Sequence, residues 1–381
     1  MDLTVLPRAS LDAVAQAAPP QAMAEYRRLL REYQEARAAF EEQATAYWGS
    51  IAERRRGRNA KRREHLAIGL DDYILTQPPA YLGPKRPVNP EPEPEPEERP
   101  RQRKAIPLVG DLLQAASEHF QWTPQKPASE VEFKRAYARV ALAAGLTREQ
   151  AVRVYSFETG GNGNYDMQSG LRSGRAVSTA IGYNQLLTTN SVELIAEQGQ
   201  EFVHELTQRA AALSGAPRKA MDHKITVLKK MLAYARSVPD DWSQHEKLAD
   251  TPQGWALHAM VLDLDVGPLL QTHKLLTSVI FARAKGYTRP LSAAELEMMN
   301  LTGDGTGLDM VTMPQAMREV VPTSNFFQRS GYERNPVAIR HNTVAKLLAI
   351  TDSRMDSNSS LPGAKQLAAA FLAFTSAEGG E

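Results

Sequence analysis

The stretch Thr147-Arg-Glu-Gln-Ala-Val-Arg-Val-Tyr-Ser-Phe-Glu-Thr-Gly-Gly161 contains the start and the stop of a helix, and between them the side chain best placed for chemistry. Thr147 and Gln150 stand in capping-box register, where each side chain takes the other residue's free backbone N–H. Ala151, Val154 and Tyr155 then recur three or four residues apart, which is one face of a helix. Gly160-Gly161 ends it. Glu158 lies three residues after Tyr155, four after Val154 and seven after Ala151, so it extends the apolar stripe. A carboxyl group on that face loses hydration, and the negative end of the helix dipole opposes its charge; both effects raise its pKa. That is how a glutamate becomes a general acid near neutral pH. The other reading is a helix-end glutamate that turns out to solvent as the last turn frays.

The same punctuation recurs through most of the chain. Apolar residues three or four apart mark helices at Leu108–Phe120, Val131–Ala144, Arg148–Glu158, Val192–Leu213, Ala220–Ala235, Leu257–Ala284 and Ala293–Asn300. Thr147, Asp222, Thr251 and Ser292 are the expected caps. Alternating strand patterns with paired turn signals are scarce, so the expected class is mostly α. With 381 residues, 42% hydrophobic and 23% charged, the chain has material for a sizeable core and for one or two domains, which excludes wholesale disorder. A formal net charge of +1 means that any attraction to nucleic acid or membrane must be local. The absence of cysteine excludes disulfides, thiolate zinc sites, iron–sulfur clusters and cysteine nucleophiles.

No apolar run approaches the roughly 18–20 residues of a membrane span; Leu257–Leu264 and Leu275–Ala284 are short and flanked by polar residues. Residues Met1–Ser10 carry Asp2 and Arg8 and lack the apolar run of a secretory signal. Localisation is otherwise open, and a target outside the cytoplasm would require a different export route.

Three parts are expected: an arm over 1–75, a linker over 76–107 and a helical catalytic domain over 108–381. In the arm, Met23, Leu30, Arg37, Ala44 and Ile51 interleave with Tyr26, Tyr33, Phe40 and Tyr47 in an a/d seam of about four heptads, broken only by Arg37. Its expected partner is a second copy, a partner helix, or the other arm of a helical hairpin. A basic block follows, with Arg54, Arg55, Arg56, Arg58, Lys61, Arg62 and Arg63 against Glu53 and Glu64. Such a block binds an anionic polymer or is simply a solvated face, and it lacks the interleaved aromatics of a single-strand-stacking surface. The linker holds ten of the 24 prolines, including Pro-Glu repeats, and reads as an extended spacer.

Beyond the opening helix, the segments Ser156-Phe-Glu-Thr-Gly-Gly-Asn-Gly163, Thr179-Ala-Ile-Gly-Tyr-Asn-Gln-Leu-Leu187 and Glu297-Met-Met-Asn-Leu-Thr-Gly-Asp304 come in that order. Together they resemble the lysozyme-like superfamily, specifically the soluble lytic transglycosylases and their goose-type lysozyme relatives, over about 131–336. In that family a catalytic Glu ends a helix and is followed by Ser or Thr, a Gly-Leu-Met-Gln segment lines the glycan groove, and an Ala-Tyr-Asn-Ala-Gly segment closes its far side. The resemblance maps Glu158-Thr159 to the first motif, Gly182-Tyr183-Asn184-Gln185 to the second, and Met299-Asn300-Leu301-Thr302-Gly303 to the third. The chain departs from the pattern in several places. Twenty-seven residues separate Glu158 from Gln185, Asn184 replaces Met, Met299 replaces Tyr, and one extra residue precedes Gly303. Phe326 stands where the family has a late tyrosine, with Tyr332 as a substitute nearby.

The resemblance implies a mostly α, lysozyme-like enzyme that cleaves β-1,4 links between the amino sugars of peptidoglycan. Glu158 would protonate the bridging oxygen, and the substrate's own N-acetyl group would stabilise the sugar cation. Glu158 would then act as base on the 6-hydroxyl, giving an anhydro product. Gln185 and Asn300 would bond sugar amides or hydroxyls. Tyr183 would stack on a ring or else belong to the core. Thr159 would orient Glu158 or cap the helix end. No metal or cofactor is implied. An inverting hydrolase needs a second carboxylate holding water roughly 6.5–9.5 Å away, and Asp166 is the nearby candidate, its other reading being turn chemistry. Two further alternatives are a glycan- or protein-binding module without turnover, and an interaction protein acting through the arm. The proline spacer and basic block would suit reaching an anionic wall.

Other patterns carry less. Gly160–Gly163 and Gly303–Gly307 follow helices rather than strands and lack the nucleotide-binding fingerprint. Asp304 and Asp309 do not fit a calcium loop. Glu201, His204 and Glu205 approach a zinc motif without matching it, and no Gly-x-Ser-x-Gly elbow is present.

Overall fold

Capped amphipathic segments dominate the computed structural model, which describes residues 19–91, 106–171 and 174–378. The helices run α1 (Pro20–Arg63), α2 (Val109–Phe120), α3 (Glu130–Ala143), α4 (Arg148–Thr159), α5 (Thr188–Ala211), α6 (Gly215–Ala235), α7 (Trp242–Ala249), α8 (Pro252–His258), α9 (Val266–Ala284), α10 (Ala293–Thr302), α11 (Asp304–Thr312), α12 (Gln315–Val320), α13 (Arg329–Glu333), α14 (Pro336–Arg340), α15 (Val344–Ser359) and α16 (Pro362–Glu378). Among the described residues three short 3-10 turns and isolated β-bridges accompany them, without a strand. The class is therefore mostly α. No described helix is long and apolar enough to cross a membrane.

Three of the four expected caps form. The Thr147 and Gln150 side chains exchange bonds with each other's backbone N–H at 3.1 and 3.0 Å; Thr251 accepts from Gly254 N–H, and Ser292 from Glu295 N–H. Asp222 is instead inside α6, paired with Arg218 one turn before it. The expected helix over 257–284 is interrupted around Asp263. That buried carboxylate accepts the backbone N–H groups of Gln125, Asp265 and Val266 and faces Lys224 at 2.9 Å. Its competition with the backbone ladder splits the run into α8, a 3-10 turn and α9.

The chain divides into two compact units, residues 1–105 with 319–344, and residues 106–318 with 345–381. Residues 319–344 thus belong with the arm rather than with the helical domain, a grouping to which helix periodicity is blind.

In the first unit, α1 is covered by its own chain. Tyr81 stands edge-on to Tyr33 and Phe40, and Arg37, the polar break in the seam, stacks over the Tyr81 ring at 4.8 Å while pairing with Glu41. The Tyr47 hydroxyl bonds Thr76 O and Ser324 Oγ, and Trp48 packs on Tyr332. The segment that covers this stretch of the seam is not a helix, so it is not the second arm of a helical hairpin. Residues 76–81 lie back on the unit instead of forming a free spacer, whereas Leu82 and Val88 are exposed; 92–105 of the expected linker lies outside the described residues.

The basic block divides in two. Arg58 is 1% exposed, donates to Asp72 O and Asn325 O, and lies over the Tyr73 ring at 4.4 Å. Arg55 donates to Asn325 O and Phe327 O, and Lys61 pairs with Asp72. These cations hold the unit together, while Arg54, Arg56 and Arg63 are exposed.

The second unit has two apolar clusters. One joins α2, α5, α6 and α8 through Leu112, Phe202, Leu228 and Leu257; the other joins α3, α4, α10 and α16 through Phe133, Tyr155, Leu296 and Phe371. Helix α9 serves both, with Leu269 and Leu270 in the first and Leu275 and Val279 in the second. The α15–α16 corner clamps the end of α4: Asn358 Nδ2 donates to Ser156 O, and the Ala364 N–H to Gly161 O. Gly161, at φ 78°, sits where a Cβ would come within 2.3 Å of Asn358 O, so only glycine fits.

Removing this buried cation takes a donor from two carbonyls, Asp72 O and Asn325 O, of which Asn325 O keeps Arg55. Arg58→Ala is expected to lower the stability of the first unit by about 2–4 kcal/mol, whereas Arg56→Ala stays within about 0.5 kcal/mol. Chemical denaturation of the full chain measures both, and equal silence of the two would mean that Arg58 is an ordinary surface cation.

Candidate active site

The C-terminal end of α4 carries Glu158 to the wall of a cavity of about 760 Å³ in the second unit. Its side chain keeps part of its surface on the cavity, while protein crowds it from nearly every other side. Asn300, from the last turn of α10, donates its Nδ2–H to Glu158 Oε1 at 3.0 Å. Gln185 lines the same cavity, so three segments spread from 158 to 300 converge on one space.

Gln185 is delivered by a tight turn. Ile181 and Leu186 exchange backbone bonds at 3.0 Å, which leaves Gly182-Tyr-Asn-Gln185 to turn between them. Gly182, at φ 85°, has no room for a Cβ, which would strike Gln271 Nε2 at 2.0 Å. Asn184 locks the turn on α9: its backbone N–H reaches Gln271 Oε1 and its Nδ2 reaches Gln271 O. Gln185 adopts φ 43° and donates from Nε2 to Gly182 O at 2.7 Å.

Four residues expected at the site do different work. Tyr183 is fully buried, edge-on to Phe133, Tyr137 and Tyr155, with its hydroxyl on Glu130; it belongs to the core and has no face for a sugar. The buried Thr159 donates back to Tyr155 O at 2.7 Å and neither orients Glu158 nor caps the helix, whose end is formed by Gly160. Asp166 is exposed and lines a separate cavity of about 580 Å³ with Asn164 and Gly174. Tyr332 belongs to the first unit, against Trp48 and Phe327.

Other residues at the cavity were not singled out from the sequence. Glu297, one turn before Asn300 on α10, is 3% exposed, and its Oε2 has no hydrogen-bond partner. Lys274 of α9, Glu193 and Glu197 of α5, Asp304, and Trp242 of α7 complete the polar wall. Trp242 is 43% exposed. Two of these left a trace in the sequence: Glu297 interrupts the run Ala293-Ala-Glu-Leu-Glu-Met-Met299, and Lys274 interrupts Leu269-Leu-Gln-Thr-His-Lys-Leu-Leu276.

The electrostatics follow from burial. Loss of water pushes the Glu158 carboxyl up from 4.5 to about 7, against the opposing pull of Lys274 and the Asn300 bond. Glu297 is held well above the usual carboxylate range, first by its own burial and then by Glu158. Burial lowers Lys274, while Glu193, Glu158, Asp304 and Glu297 act the other way. Glu193 is pushed up to about 7 by burial and by repulsion from Glu197. The outcome is a carboxylic acid that holds its proton up to about pH 7 beside a neutral amide donor. Among the described residues no group of three or more His, Cys, Asp or Glu side chains is arranged to hold a metal ion.

A carboxyl that holds its proton to higher pH in the folded state than in the unfolded state makes stability fall as pH rises through that window. Glu158→Gln removes this penalty. The variant is expected to exceed the parent by about 1–3 kcal/mol near pH 8, the gap closing as pH falls towards about 4. Thermal unfolding across that range tests it; a gap that ignores pH would contradict a desolvated carboxyl. Set against known proteins, the chain matches no family model, no curated protein and no solved structure.

Proposed function

We propose that the second unit is a lysozyme-like lytic transglycosylase that cleaves the β-1,4 link between the amino sugars of peptidoglycan. The observation that carries this reading is the meeting of Glu158, Gln185 and Asn300 in one cavity, with Glu158 kept protonated near pH 7. Glu158 gives its proton to the bridging oxygen as the glycosidic C–O bond breaks, and the leaving sugar departs as an alcohol. The substrate's N-acetyl carbonyl stabilises the positive centre left behind. The Glu158 carboxylate then takes the proton of the same sugar's 6-hydroxyl as that oxygen closes on the centre, which restores the acid. The Asn300 bond favours the charged form of Glu158 and so serves the moment after proton transfer. Trp242, exposed at the rim, offers a face on which a sugar ring can stack.

Asp166, the second carboxylate expected from the sequence, lines a different cavity, and Glu297 is held well above the usual carboxylate range, so an inverting hydrolase would have to draw its base from Glu193, Glu197 or Asp304.

Digestion of purified peptidoglycan sacculi by the full chain, with products resolved by mass, is expected to release anhydro-muropeptides. Glu158→Gln is expected to lower the rate by about a hundred- to ten-thousand-fold. Reducing-end products would overturn the transglycosylase in favour of hydrolysis, and wall binding without release would overturn catalysis altogether. Because the acid must begin protonated, the rate falls as pH rises through about 7. Asn300→Ala, which removes a bond that lowers the Glu158 pKa, shifts that alkaline limb upward; a downward shift or none would contradict the role given to Asn300.

A further inference from the structure

The wall of the cavity opposite in charge to a cation is more heavily built than cleavage of a neutral glycosidic bond requires. Among the described residues five carboxyl groups line it, those of Glu158, Glu193, Glu197, Glu297 and Asp304, against one cation, Lys274. Asp304 is partnered by the Ser278 hydroxyl at 2.6 Å, and Glu158 by Asn300. Glu193 and Glu197 are different. They stand one turn apart on α5, both on the cavity, and neither has a hydrogen bond or ion pair among the described residues. Like charges at that spacing oppose each other. Glu297, on the same cavity, has a buried oxygen with no hydrogen-bond partner, which is costly to leave so.

We infer that the Glu193–Glu197 wall is a subsite for a primary ammonium group carried by the glycan substrate. The inference rests on the reading of this cavity as a glycan site. An ammonium group brings three N–H donors and one positive charge, which answers the carboxylates of Glu193 and Glu197, left without a hydrogen bond on a wall that Lys274 alone does not balance. Trp242 on the same wall adds a ring face for a cation or for the sugar that bears it. Peptidoglycan offers this chemistry from two sources: the free 2-amine of a de-N-acetylated glucosamine, and the side-chain amine of a diamino acid in a stem peptide. Since cleavage as proposed uses an N-acetyl group at the bond that breaks, a free sugar amine would belong to a neighbouring residue of the strand.

Binding to the full-length Glu158→Gln variant, measured by calorimetry at low ionic strength, tests this with cleavage suppressed. The first arm compares a glucosamine tetramer with the N-acetylglucosamine tetramer. The second compares a disaccharide carrying a diamino-acid stem peptide with the same molecule acetylated on its side-chain amine. The expected result is at least tenfold tighter binding of the amine form in one arm, which identifies the source. That preference should weaken with added salt and disappear in Glu158→Gln combined with Glu193→Gln and Glu197→Gln. Neutralising two unpaired carboxylates is expected to leave the melting temperature unchanged or raised, so the variant remains a fair test; Glu197→Gln alone, at an exposed position, should lose part of the preference. No preference in either arm, or one that survives the double replacement, overturns the inference. Sacculus digestion by the wild-type chain separates the two claims: cleavage without amine preference removes the subsite alone, and amine preference without cleavage removes the enzyme alone.

Discussion

The proposed chemistry depends on keeping water away from one carboxyl group at the end of a helix. Glu158 cannot move freely, because Gly160 and Gly161 end α4 immediately behind it and the α15–α16 corner is hydrogen-bonded onto that end. Nor can it ionise cheaply, because burial costs the charged form more than Lys274 and Asn300 return. Glu158 in turn helps to hold Glu297 above the usual carboxylate range, since a second negative charge in so dry a place has only Lys274 as a counterpart. A proton donor at neutral pH follows from that arithmetic of charge.

The rest of the second unit exists around that point in a definite way. Helix α9 is the common element: it joins both apolar clusters, anchors the Gly182–Gln185 turn through Gln271, and supplies Lys274. Helix α10 brings Glu297 and Asn300 from the same face one turn apart. The positions facing the cavity are therefore fixed by packing on the other side of the same elements, which limits how far they can drift.

Much of this was legible in the sequence, and the failures have physical causes. The α4 capping box and glycine stop, and the apolar stripe running into Glu158, are local signals, and the local structure follows them. Gln185 and Asn300 were likewise legible, through motif resemblance, and the cavity receives both. Tyr183 was ambiguous because an aromatic beside a groove motif suits a sugar face or a core equally; three neighbouring rings decided for the core. The burial of Arg58 was hidden because a helical charge run looks the same whether or not a distant segment folds over it, and that segment includes residues 319–344. The break at Asp263 was missed since its competitors for hydrogen bonds, Gln125 and Lys224, are remote in sequence.

The state of the Glu158 proton can be observed directly. Protein labelled with 13C at glutamate side-chain carboxyls would be titrated by NMR, the Glu158 resonance being assigned by its loss in Glu158→Gln. A midpoint close to 7 is the expected result; a midpoint near 4.5, the value of a carboxyl in water, would contradict the dry carboxyl on which the proposed chemistry stands.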